Sequence, residues 1–439
     1  MSPESGITSG SSYEARYQLG NEVLAPALVC FAWLLMLAAK RDGLTRLAFV
    51  ARDGALLLEV FKRVSRQLNW TPPALDYIYL SRISTALPAQ TDFGLPALHF
   101  AHQVRAGTST VESLFAFFGM EVADIAAAMN DHGLTADTPV TDLARLGDLI
   151  DDPRVKDWVA TQRCLQSSLL RSYLTQHEVI GNPHCALVDI GWHGSIPIWL
   201  ARAFPDVVQD VPIRACYLGH WSQSDQPTPP NINITGLLCD GNRSRSVLEA
   251  APRYLTCVLE SICRANHGTV TGYLMGDDGR VSPVLADNAI DANPENSAQG
   301  WREPIHQGIL DGIPAACRRF ALREENANRI RREVNGRLFR LAFFPRKDEL
   351  MAAAGLVHTE GHRAQWSRPL IDATLPHPIL SPRRWLAGMA SPWRSGYVAA
   401  SGGVIFAALF VLVESVLLLI PNRRRQGIER FARRLGGLS

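Results

Sequence analysis

The sequence has no two cysteines at C-x-x-C spacing; Cys30, Cys164, Cys185, Cys216, Cys239, Cys257, Cys263 and Cys317 stand apart and mostly lie in apolar runs. That argues against a disulfide framework and for buried, reduced thiols in a reducing compartment. Neither sign of charge is in excess. A formal net charge of +2 gives no global attraction to nucleic acid, so any basic patch must be local. The opening stretch MSPESGITSGSSYEARYQLG lacks the apolar core of a signal peptide, which predicts a disordered start over 1–16 and a cytoplasmic body. There is no internal repeat, and the histidines show no metal-ligand spacing.

What is present is the composition of a folded protein: 439 residues, 47% hydrophobic and 20% charged, enough for two domains or one large domain with insertions. NEVLAPALVCFAWLLMLAAKRDG reads as an apolar helix interrupted by Pro26 that covers a sheet, because it leads directly into a strand. LTRLAFVARDGALLLEVFKRVSRQL is a strand, a glycine turn and an amphipathic helix, and ALDYIYLSR a second strand. Strand, helix, strand at this size is a βαβ unit, hence a parallel sheet with a right-handed crossover. Helical patterns over about 96–180 read as an insertion. The sheet resumes with CALVDIGW, then a helix through Phe204, then VPIRACYLGHW. YLTCVLESICRANHGTVTGYL is a helix leading to a short strand, and the turn formers that follow are a hairpin plus loop.

Chemistry concentrates on the turns. In open α/β sheets ligands bind at the carboxyl ends of strands, so two glycine turns that each follow a strand and open a helix should face one cleft. At the first, Gly54 and Asp53 allow a sharp turn while Arg52 offers a planar fork of donors for phosphate. At the second, Gly191, Gly194 and Ser195 can aim backbone N–H groups and a hydroxyl at an anion, and Asp189 can accept from hydroxyls or hold a metal ion. His193, inside this turn, is a candidate base or phosphate donor. Arg82, with Ser81 beside it, follows the second strand and could clamp a diphosphate. Glu260, Arg264 and His267 share one helix and its end; Glu260 and Arg264 are four apart, the spacing of a surface ion pair.

These stretches resemble a module of bacterial cell-surface polysaccharide gene clusters, often labelled haloacid-dehalogenase-like because a phosphatase commonly precedes it. The resemblance covers about 17–273 and rests on FVARDG, YIYLSR, VDIGWHGS and LESICRANHGTVTGY. A phosphatase needs an aspartate, any residue, aspartate signature at a strand end; the sequence has none, which disfavours hydrolase chemistry. The module looks like a type I phosphoribosyltransferase, whose diphosphate loop would be Arg52-Asp53-Gly54. In its second loop Asp189 matches the second acid, Gly194 the loop glycine and Ser195 the hydroxyl position; Val188 stands where the first acid would be, and Trp192 and His193 replace hydroxyl residues.

The resemblance implies Mg²⁺-dependent transfer of 5-phosphoribose from phosphoribosyl diphosphate to a glycan or lipid-linked glycan, the phosphate being removed later by a separate phosphatase. In that role Arg52, Gly54, Ser81, Arg82, Gly191, Gly194, Ser195 and Glu260 would bind substrate, Asp189 would hold Mg²⁺ and ribose hydroxyls, and Asp53 or His193 would be the base. A non-catalytic sugar-phosphate-binding scaffold and a nucleotide-sugar glycosyltransferase are the alternatives.

The domain reading is therefore a catalytic domain over 17–275, a hairpin and helical region over 276–395, and an apolar helix with a basic tail over 396–439. GYVAASGGVIFAALFVLVESVLLLIP is long enough to span a bilayer. Arginines flank both ends, and Glu414 and Gly402-Gly403 make a plain span costly. The expectation is a peripheral or tail-anchored protein at the inner membrane, its tail helix in the inner leaflet or the interface and NRRRQGIERFARRL attracted to anionic lipid.

Overall fold

The computed structural model describes residues 9–103, 109–221, 229–241, 246–286, 298–360, 366–371, 376–389 and 391–420. An apolar helix, α1 (Ala25–Arg41), is followed by β1 (Arg46–Val50), α2 (Gly54–Gln67) and β2 (Ala74–Ile78). After the insertion, whose last helix is α3 (Pro153–Gln176), come β3 (Cys185–Trp192), α4 (Ser195–Ala203), β4 (Ile213–His220) and β5 (Ile232–Asp240). The strands form one parallel sheet in the order β2-β1-β3-β4-β5.

A parallel sheet must be covered on both faces, which is why RLAFV and CALVDI read as near-continuous apolar runs. Leu47 and Phe49 of β1 and Ala186, Val188 and Ile190 of β3 join α1, α2 and later helices in one core. Ala48, Val50, Cys185 and Leu187 face the other way, into a core shared with α3 and α4. The stretch containing α1 is long and apolar enough to cross a membrane, yet 83% of its 18-residue apolar segment is buried inside the protein, so it is a core helix as its position before a strand predicts.

The helical insertion is present, with a core of its own around Leu114, Phe115 and Leu149, and it includes a small ladder pairing Ser109–Thr110 with Pro139–Val140. β5 was not foreseen. NINITGLLCD opens on asparagines, and its strand lies at an edge of the sheet, where continuous apolar patterning is not required.

The expectation of disorder over 1–16 fails where the chain is described: Ser9–Gln18 is helical, and Arg16 lies over the Trp301 ring at 3.4 Å and donates to the Gly300 carbonyl at 2.7 Å. These long-range contacts order a polar segment whose own sequence does not.

Beyond the sheet, α5 (Thr256–Cys263) leads into the expected hairpin, Val270–Met275 with Val281–Leu285. The loop expected after it falls largely outside the described residues. Helices α6 (Glu303–Phe320) and α7 (Ala327–Phe343) then pack on α1, and a second hairpin, Val357–Glu360 with Trp366–Pro369, precedes the 26-residue α8 (Arg394–Leu419). The basic stretch after α8 lies outside the described residues.

Candidate functional site

The strand order reverses between β1 and β3, and a crevice opens at the carboxyl ends of strands where connections leave in opposite directions. Both glycine turns sit there, 52–54 after β1 and 191–195 at the end of β3, although Gly54 and Asp189 are 135 positions apart. The Ala51–Arg52 peptide is cis. Gly54 is required by packing, since a Cβ there would lie 2.9 Å from the Phe49 carbonyl carbon. Gly191 and Gly194 hold φ of 99° and 75°, and Gly194 is the left-handed N-cap of α4, so Ser195 is its first residue.

Three carboxylates and three arginines share this crevice. Burial pushes the Asp53 carboxyl up to about 7, the nearby Glu260 pushes the same way, and Arg52, Arg264 and Arg82 oppose. Asp189 is raised well above the usual carboxylate range, first by burial and then by Asp53, although its Oδ1 accepts the Ile190 N–H at 2.8 Å. Burial and these two carboxylates also raise the Cys263 thiol, as expected of an inert buried cysteine.

Glu260 has partners across the crevice, away from open water. Its Oε1 accepts the Trp192 indole N–H at 2.9 Å, and its Oε2 lies 3.8 Å from His358 Nδ1. Arg264 caps the end of α5 and is buried. The i, i+4 spacing does not put these residues on the surface, because α5 lies against the crevice instead of facing water.

One other expectation changes. The Ser81 hydroxyl caps the short helix Arg82–Ala86 by accepting the Ser84 N–H at 3.0 Å and donates to the Val270 carbonyl at 2.5 Å, so it is committed to the fold. Its neighbour Arg82 is exposed and directs positive charge at Asp53, Asp189 and His193. His193 Nδ1 is 3.2 Å from the Trp221 carbonyl, which requires that nitrogen to carry the proton, and burial lowers the ring to about 4. A neutral imidazole with Nδ1–H engaged presents a lone pair at Nε2, the arrangement a base requires.

Sequence reasoning missed the aromatic walls. Trp192, at φ 91°, stacks on Trp221 with ring centroids 4.9 Å apart, and Arg253 lies over Trp221 at 5.8 Å. On the other side Tyr77 Oη is 2.7 Å from His267 Nε2, and the Tyr79 and His267 rings are 5.1 Å apart. The alternation of tyrosines in YIY at a strand end is the signal that could have found this wall, since positions two apart share a face.

Among the described residues no three of His, Cys, Asp and Glu form a metal-holding group. Mg²⁺ commonly uses one or two carboxylates and completes its shell with water and substrate phosphates. Asp189, its carboxyl raised by burial and by the charge of Asp53, is the group there that would suit such a cation.

A parallel α/β protein with an acidic and arginine-lined crevice at its strand reversal is thus defined by its own geometry. In comparisons with known proteins, no family model matches the chain and no curated protein matches it.

Proposed function

We propose that the chain is a glycan phosphoribosyltransferase, moving 5-phosphoribose from phosphoribosyl diphosphate to a hydroxyl of a cell-surface polysaccharide acceptor. The observation that carries this reading is the meeting of Asp53, Asp189 and Glu260 with Arg52, Arg82 and Arg264 where the two glycine turns adjoin. Sugar transfer with a diphosphate leaving group needs both signs of charge: cations for the departing oxygens, and carboxylates for hydroxyls and the cationic sugar carbon.

In this mechanism the bond from ribose C1 to diphosphate breaks while a bond from C1 to the acceptor oxygen forms. Arg52 and Arg82 stabilise the departing diphosphate. The start of α4, with Gly191, Gly194 and Ser195, receives the 5-phosphate. Asp189 accepts hydrogen bonds from the ribose hydroxyls, and Asp53, poised near neutrality, takes the acceptor proton. Mg²⁺, held by Asp189 with the diphosphate, would supply charge neutralisation. The apolar C-terminal helix favours a place at the cytoplasmic face of the inner membrane.

A non-catalytic sugar-phosphate-binding scaffold is the second reading. It is favoured by Val188, which is fully buried in the core where an acid would otherwise stand. Calorimetric titration with phosphoribosyl diphosphate, with and without Mg²⁺, followed by mass spectrometry of a glycan acceptor for a phosphoribosyl adduct, separates the two. Binding with product supports transfer, binding without product supports the scaffold, and no binding removes both.

A further inference from the structure

Helix α8 is apolar on both faces, and only one face is covered. Phe410 meets Phe343 with ring centroids 6.1 Å apart, Ala407 is buried, and Val411 and Leu418 pack against the core. On the other side Val404 and Ile405 are each 73% exposed, Leu412 61% and Leu419 70%. An apolar stripe of that exposure on a folded surface marks an interaction site. Glu414, the one charge in the run, is turned to the protein: its Oε2 accepts the Tyr254 hydroxyl at 2.9 Å. The outward face is left without a charge.

The helix does not present a straight span. Gly403 has φ 67° and ψ −167°, outside helical geometry. The part after it, residues 404–419, is about 24 Å long at roughly 1.5 Å per residue, short of the ~30 Å hydrocarbon core. Its covered face is also held along its length by Tyr254, Phe343 and the core. Positive charge stands at both ends: Arg384 and Arg394 are exposed before it, and the sequence places six arginines against one glutamate over 421–439.

We propose that the outward face of α8 is seated in the surface of an anionic bilayer with the helix lying in its plane, and that this seat brings the crevice to a lipid-linked acceptor. The partner is lipid because an uncharged apolar face bordered by arginines matches acyl chains rimmed by anionic headgroups. The link to the crevice is short. Tyr254, which holds Glu414, adjoins Arg253, whose guanidinium lies over Trp221, the residue that stacks on Trp192 and engages His193. The choice of acceptor rests on the transferase reading, whereas the lipid seat does not.

The test is flotation of the full-length chain with vesicles of phosphatidylglycerol and phosphatidylethanolamine. The native chain floats, less so on neutral phosphatidylcholine, and Ile405→Asp with Leu412→Asp cuts flotation by about tenfold or more with unchanged circular dichroism. Should that pair disturb folding, Val404→Asn with Val416→Asn, also outward, gives a smaller loss in the same direction. Undiminished flotation of both folded pairs overturns the seat, as does a lipid-free dimer that the substitutions dissolve. In sealed vesicles protease added outside cuts both body and C-terminus; a protected C-terminus overturns the in-plane placement. Transfer to a lipid-linked acceptor falls in the variants while transfer to a soluble glycan holds, and equal rates on both overturn the acceptor assignment. Absence of any transfer by the native chain overturns the transferase reading and leaves the flotation result standing.

Discussion

Trp192 donates its indole N–H to Glu260 Oε1 at 2.9 Å while its ring lies on Trp221, from a backbone held at φ 91°. A non-glycine residue in such a conformation costs about 1–3 kcal/mol and persists where surrounding contacts over-determine it. Trp192→Phe keeps an aromatic ring but leaves the carboxylate without this donor. Stability should fall by about 1–3 kcal/mol in denaturant unfolding, and affinity for phosphoribosyl diphosphate should weaken with it. Unchanged stability and affinity would show that the indole does not position Glu260.

Asp189→Asn should separate stability from function. Burial and Asp53 both disfavour a charge on Asp189, so a neutral amide of the same shape should leave the fold as stable or more so. Sugar transfer should drop by about a hundredfold or more if the carboxylate orders the ribose hydroxyls. A parallel loss of melting temperature and activity would make Asp189 a structural residue instead.

Gly194→Ala should be worse for the fold than its size suggests. The end of the Ile234 side chain can move aside for the added Cβ, but φ 75° is unfavourable for alanine, so a loss of about 1–2 kcal/mol is expected in chemical denaturation. Gly194→Val, with two further methyl groups, should lose more and should also block the approach of a phosphate to the backbone.

Arg52→Lys should weaken transfer more than a like-charge exchange implies, by roughly tenfold, because a planar two-pronged contact becomes a point charge. Steady-state kinetics with phosphoribosyl diphosphate is the measurement. Unaltered turnover and donor KM would remove Arg52 from the leaving-group role.

His193 carries a pH signature. Its folded value near 4 lies below that of the unfolded chain, so the unfolded state binds the extra proton first. Its contribution to stability is complete above about pH 6.5 and is lost as pH falls from there toward 4, at most about 1.4 kcal/mol per unit. His193→Gln should flatten the fall of unfolding free energy over that window relative to the native chain. Identical pH profiles would contradict a buried neutral imidazole.

The parallel sheet could be read from residues close together in the chain: an apolar run, a glycine turn and a helical period recur at Arg52-Asp53-Gly54 and again at Gly191 to Ser195. These are local rules of backbone freedom and side-chain period, so they survive without tertiary context. The adjacency of β1 and β3 across the insertion is a long-range pairing, and only the folded sheet brings Asp53 beside Asp189. β5 escaped because an edge strand need not be apolar throughout. The partners of Ser81 and Glu260 were not legible because a hydroxyl or carboxylate has several possible partners. Val270 for one and Trp192 for the other come from segments 189 and 68 residues away. In the tail, hydropathy marked an apolar helix, but periodicity cannot say which face meets protein. The Tyr254 hydroxyl decided that by taking Glu414 inward, since a carboxylate keeps its cost low only where a donor meets it.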